Sequence, residues 1–159
     1  MSPTVPSAVP SALPGAAPTG ATVLPAAAHA YLGRAATSLR DATVATDAPT
    51  RYACAHVAAL QAAAALLSAR TTPVASPRRR SRNAWVLLTE TAPELASWAA
   101  LFAAGSQTYQ AARAGSTRGV ALADADAVLG QADRFLAVVE GELGLLPHQL
   151  FTHEPLRSA

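Results

Sequence analysis

The chain has 159 residues, a length that suits one domain with tails. Half of its residues are hydrophobic, and Ala alone supplies roughly a quarter of the chain, far above ordinary usage. All 12 basic residues are Arg, against 10 acids, so the chain is neither a polyampholyte coil nor a uniformly basic nucleic-acid binder. A single Cys excludes an intramolecular disulfide framework and any multi-Cys zinc or iron–sulfur site. The charge is unevenly placed. Residues 1–82 hold eight Arg and two acids, whereas residues 83–159 hold four Arg and eight acids. That asymmetry suits self-association or the steering of an anionic partner, and equally a solvated dipolar surface.

Residues 1–24 read as a disordered tail, with Pro3, Pro6, Pro10, Pro14 and Pro18 recurring among Ser, Thr, Gly and Ala. No Lys or Arg precedes Arg34 and no unbroken apolar run follows the start, so the segment lacks the parts of a signal peptide. Ala-rich runs such as Ala62–Leu67 are too short to span a bilayer, and a cytoplasmic location without membrane contact follows by default. A helical unit is expected over residues 25–146. Its first helix opens at Pro25, carries Tyr31, Ala35, Leu39 and Ala42 at helical spacing, and fades near Thr46. Asp47 caps a second helix, with Pro49 in its first turn, that runs to about Arg70.

Residues 71–82 form a loop carrying Arg78, Arg79, Arg80 and Arg82. A third helical segment begins near Ser81. Thr91-Ala92-Pro93-Glu94 has the spacing of a capping box and starts a fresh helix lined by Leu95, Trp98, Leu101 and Phe102. Gly105 interrupts it, and Gly115 ends its continuation. The last helix has the clearest pattern. Leu122, Ala125, Leu129, Ala132, Leu136, Val139 and Leu143 form one stripe, with Asp124, Asp133 and Glu140 off it. Gly144 and Pro147 close that helix, and residues 147–159 read as a flexible tail. The fold class is all-α: an antiparallel up-and-down bundle of four principal helices, the third one broken.

The segment from Tyr31 to Ala42, the helix from Arg51 to Leu67, the stretches Ala84–Leu88 and Ala92–Ala96 with Trp98 and Phe102, and the acidic last helix with Asp124, Asp126, Ala132 and Phe135-Leu136 together resemble a known pattern. It is that of HEPN domains (higher eukaryotes and prokaryotes nucleotide-binding), and more closely of the SAV-type subfamily of actinobacteria. The resemblance covers roughly residues 26–143. It implies a helical bundle that often forms a homodimer. Members of the wider family include metal-independent RNases and non-catalytic domains that bind nucleotides, RNA or protein partners. The expected role is therefore a binding or interaction module, with RNA or nucleotide as the partner class, and the alternative is a metal-independent toxin-type RNase. Neither a cofactor nor a metal is expected.

The catalytic members carry Arg, four to six residues, then His, which gathers across a dimer interface. There His exchanges a proton with the RNA hydroxyls and Arg stabilises phosphate charge. Arg51 and His56 are the one match in this chain. Five residues at about 100° each separate the two side chains by roughly 140° around a helix. His56 then falls in the stripe of Tyr52, Leu60, Ala63 and Leu67, as a core or interface residue, while Arg51 points away. Arg78, Arg79, Arg80 and Arg82 are the candidate phosphate contacts; no aromatic residue interleaves them, so base stacking is not supported. Asp124, Asp126 and Asp133 read as helix-dipole complements rather than metal ligands, and Cys54 as a small core residue. His148 and His153 fall in the C-terminal tail.

Overall fold

The computed structural model describes residues 23–71, 83–116 and 118–149. Among the described residues it is helical, with no strand. The helices are α1 (Ala26–Val44), α2 (Ala48–Arg70), α3 (Ala84–Thr91), α4 (Ala96–Ala104), α5 (Ser106–Arg113) and α6 (Leu122–Glu142). A single 3-10 turn, Pro93–Leu95, links α3 to α4. The expected third helix is thus broken into three short helices.

Local chemistry sets most of these ends. Pro25 is the N-cap of α1, and its carbonyl accepts from the Ala28 and His29 amides. Asp47 caps α2 through Oδ2, which accepts from the Thr50 amide at 2.9 Å. Pro49 occupies the first turn, where its missing N–H costs nothing. Asn83 caps α3 by accepting from the Trp85 amide at 2.9 Å. The capping box expected at Thr91–Glu94 does not form. Thr91 is the last residue of α3, no side chain caps the 3-10 turn or α4, and Glu94 instead binds the Arg70 guanidinium. An ion pair to a cation on α2 takes the carboxylate that would have turned back to its own backbone. At the end of α6, Gly144 adopts φ +73°. Its amide bonds to Gly141 O, and the Leu145 amide bonds to Glu140 O, the paired bonds of a Schellman turn that only a residue free to adopt positive φ closes cheaply.

The helix α2 is the centre of the bundle. It packs most extensively on α1, then on α6, and also touches α3 and α5. Its inner positions are largely Ala: Ala55, Ala58, Ala59, Ala62, Ala63 and Ala65 are all buried. Small side chains let the neighbouring backbones approach, and the volume is filled by Leu66 of α2 itself and from outside by Leu39, Leu88, Phe102, Phe135 and Leu136. By length and composition α2 is also apolar enough to cross a bilayer, but half of its most apolar window is buried in the bundle, as for a core helix. On α6 the buried face is Ala125, Val128, Ala132, Asp133, Phe135, Leu136 and Val139. The expected stripe is therefore correct at its centre and rotated at its start, where Leu122 is 52% exposed. Asp133, expected off the stripe, is buried.

Candidate functional site

The two residues of the Arg-x4-His pattern sit on α2 one and a half turns apart, and they face different surroundings. His56 is 1% exposed. Its ring stacks on Tyr109 of α5, with centroids 4.4 Å apart and planes 13° from parallel. Tyr52, one turn earlier on α2, lies nearly parallel to it at 6.4 Å. Trp85 of α3 and Phe102 of α4 meet it edge-on at 6.0 and 6.2 Å. The aromatic cluster continues from there: Trp85 stacks on Phe102 at 5.2 Å, and Phe135 of α6 packs on both. His56 Nδ1 is buried and makes no hydrogen bond. Burial lowers the His56 pKa to about 4, so the ring is neutral at physiological pH.

Gly105 makes room for this arrangement. The Tyr52 hydroxyl donates to Gly105 O at 3.3 Å, and a Cβ at position 105 would lie 2.6 Å from the same hydroxyl oxygen. The break between α4 and α5 is therefore where Tyr52 reaches through to brace one face of His56.

Arg51 is engaged elsewhere. Its Nη1 pairs with Asp126 Oδ1 of α6 at 2.5 Å, and its Nη2 donates to Ala45 O, at the end of α1, at 2.8 Å. One guanidinium thus ties the α1–α2 corner to the first turns of α6. The structure does not bring Arg51 and His56 to a common surface within one chain. Arg78, Arg79, Arg80 and Arg82 lie outside the described residues, as does His153. Cys54 is half-buried and unpaired; burial, then the charges of Asp41 and Asp47, push its thiol pKa up and away from the reactive thiolate.

One polar cluster was not foreseen. His148, expected in a loose tail, is held against α6 by both ring nitrogens. Nε2 lies 2.7 Å from Asp133 Oδ1 and Nδ1 lies 2.8 Å from Glu140 Oε2. Its backbone N–H also donates to Glu140 Oε2 at 2.7 Å. A neutral imidazole has one N–H and ionised carboxylates only accept, so both ring contacts together call for the imidazolium. Burial, the largest single influence, pulls the His148 pKa down, but the bonds to Asp133 and Glu140 and their charges outweigh it and raise it. The signal in the sequence was the spacing of seven shared by Asp126, Asp133 and Glu140; what it lacked was the Schellman turn that folds His148 back onto them. Among the described residues no group of three or more His, Cys, Asp or Glu has the arrangement to hold a metal ion.

A second polar cluster lies on the flank of the α1–α2 pair. Ala30, Gly33, Arg34, Thr37 and Ser38 of α1 and Gln61 of α2 line an open cleft there. The Ser38 hydroxyl donates to Gln61 Oε1 at 2.8 Å, and the Arg34 guanidinium lies over the Tyr31 ring at 5.6 Å.

With this geometry established, comparison with known families is decisive. The model of the SAV_6107-like HEPN family matches residues 42–140, more than half of the chain. The chain belongs to that family. The match spans α2 to α6 and includes His56 with every ring that surrounds it. No curated protein and no solved structure matches the chain. An all-α HEPN bundle is therefore the fold, and the aromatic cage around His56 is the centre of this HEPN domain.

Proposed function

We propose that this HEPN domain is a non-catalytic module that binds RNA or nucleotide, and that it does so in the cytoplasm as a homodimer. The observation that carries the non-catalytic reading is the enclosure of His56. A general acid–base His needs a pKa near the working pH and a path to the substrate hydroxyl. This ring has a pKa of about 4 and four aromatic neighbours around it. Arg51, the partner that would stabilise phosphate charge, is committed to Asp126 and Ala45 O.

The partner class follows from charge. Between Ala26 and Arg70 there are four Arg and two Asp, whereas α6 has five acids and one Arg. Among the described residues the α1–α2 pair carries the excess of basic charge and would steer an anion towards itself. The homodimer is supported by the α3–α4 flank. There Val86 is 49% exposed, and an open, largely apolar groove runs past Trp85, Val86, Ala99, Ala100 and Ala103. A core built so largely from Ala buries little area per residue, and a second copy on this flank would add to it.

The test is incubation of single-stranded RNA with the purified protein in EDTA, with binding read in parallel and the mass read by sedimentation. Bound but uncleaved RNA at a dimer mass is the expected result. Cleavage abolished by Arg51→Ala in a folded protein overturns the non-catalytic reading, and a monomer at micromolar concentration overturns the dimer.

A further inference from the structure

The cleft between α1 and α2 offers a ligand two donor groups, the Arg34 guanidinium and the Gln61 amide, while the Ser38 and Thr37 hydroxyls have already given their hydrogens to protein acceptors. Ser38 gives its hydrogen to Gln61 Oε1, and among the described residues the two N–H groups of Gln61 Nε2 have no acceptor. The Thr37 hydroxyl donates to Gly33 O at 3.1 Å and accepts from Arg40 Nη2 at 3.1 Å. Arg40 is thereby held at the edge of the same cleft. Arg34 contributes a whole guanidinium. Arg51 and Arg70 each bind a carboxylate, whereas Arg34 and Arg40 have no carboxylate partner among the described residues.

Gly33 is the second, independent feature. It lies in the interior of α1, where Gly costs about 0.5–1 kcal/mol relative to Ala. Its φ is not positive, and a Cβ there would meet nothing within 4 Å. Among the described residues neither backbone geometry nor packing requires a glycine. What its missing side chain does is leave the cleft open beside Arg34.

We propose that this cleft binds a phosphoryl group, with Arg34 as the anchoring cation, Arg40 at the rim and Gln61 Nε2 as the directional donor. Three donor-bearing groups from two helices suit a tetrahedral oxyanion, whose acceptors point several ways, better than a flat carboxylate, which one guanidinium satisfies in a single plane. The phosphoryl group belongs either to a mononucleotide or to an RNA strand. The Ser38–Gln61 bond orients the amide across the helix pair, and the Tyr31 ring beneath the Arg34 guanidinium, 5.6 Å away, holds it by a cation–π contact. This assignment rests on the binding role proposed above and gives it a location.

Fluorescence anisotropy of labelled AMP and of a labelled short single-stranded RNA separates the outcomes. The proteins are the wild type, Arg34→Gln and Gly33→Leu, each checked for helicity and Tm. Gly33→Leu adds a side chain into open space, so it folds while filling the cleft. Both variants are expected to weaken binding at least tenfold. Loss for AMP alone points to a free phosphate monoester, loss for RNA alone points to the strand phosphate, and loss for both points to a phosphoryl group in either setting. Wild-type binding that neither variant changes overturns the cleft while the binding role stands. Weakening by Arg34→Gln without weakening by Gly33→Leu reveals diffuse attraction and also overturns the cleft. Failure of the wild type to bind either probe overturns the binding role itself.

Discussion

At the scale of residues, the two described histidines that make close contacts have opposite roles, and each follows from what surrounds it. His56 is among rings that offer packing but no charge, so burial alone decides and the neutral form wins. His148 is between two carboxylates that accept from its ring, and their bonds and charges favour the charged form and raise its pKa although burial opposes it. The consequence for His148 has a definite sign. Its pKa in the folded protein lies above the ordinary value of 6.5, so its contribution is complete below about pH 6.5 and is lost as pH rises through the raised value. One of the two carboxylate bonds then has no proton. Hydrogen exchange, corrected for intrinsic rate, should show the His148 amide protected at pH 6 and progressively less protected as the pH rises through the raised value. His148→Gln should abolish that pH dependence, because its amide does not titrate. The helical spacing of α2 already placed His56 among its inward-facing residues, but not the rings around it, which come from α3, α4 and α5 as well as from Tyr52. His148 beside Pro147 carries no local signal; its partners are on α6, and the turn after that helix brings it to them.

At the scale of elements, the sequence was informative where chemistry is local. Asp47, Pro49 and the Gly144 turn set helix ends within a few residues of themselves, and each could be read directly. Thr91–Glu94 had the right letters for a capping box and did not form one, because Arg70, 24 residues before Glu94, offered a stronger partner. Gly105 was legible as a break but not as a contact. Its carbonyl accepts from Tyr52, and its lack of a Cβ admits that hydroxyl. Gly105→Ala should gain helix propensity yet lose more by displacing Tyr52 from its place against His56. We expect a net destabilisation of about 1–2 kcal/mol, read as a lowered Tm. Tyr52→Phe in the same background should recover part of the loss by removing the oxygen that collides.

At the scale of the whole molecule, the helical class was legible because period and composition agree along the chain, and Ala, Leu and Arg all favour helix. Part of the charge separation has a place among the described residues: α1, α2 and the Asp47 cap between them carry four Arg and two Asp, α6 five acids and one Arg, and Arg51–Asp126 and Arg70–Glu142 join them. What could not be read from sequence is how the broken third region wraps α2. That wrapping turns a residue matching a nuclease pattern into the middle of an aromatic cluster. The Arg-x4-His pattern survives as letters, while its two side chains are built into the bundle, one as a corner tie and one as core.

The most direct measurement of that central point is the titration of His56 by NMR, following its ring nitrogens from pH 8 down to the acid limit of folding. A neutral ring throughout the physiological range, with protonation only as the pH falls towards 4, is the predicted result. A His56 pKa near 6.5–7, with ring protons exchanging freely with water, would contradict it and return the residue to the role of an acid–base catalyst.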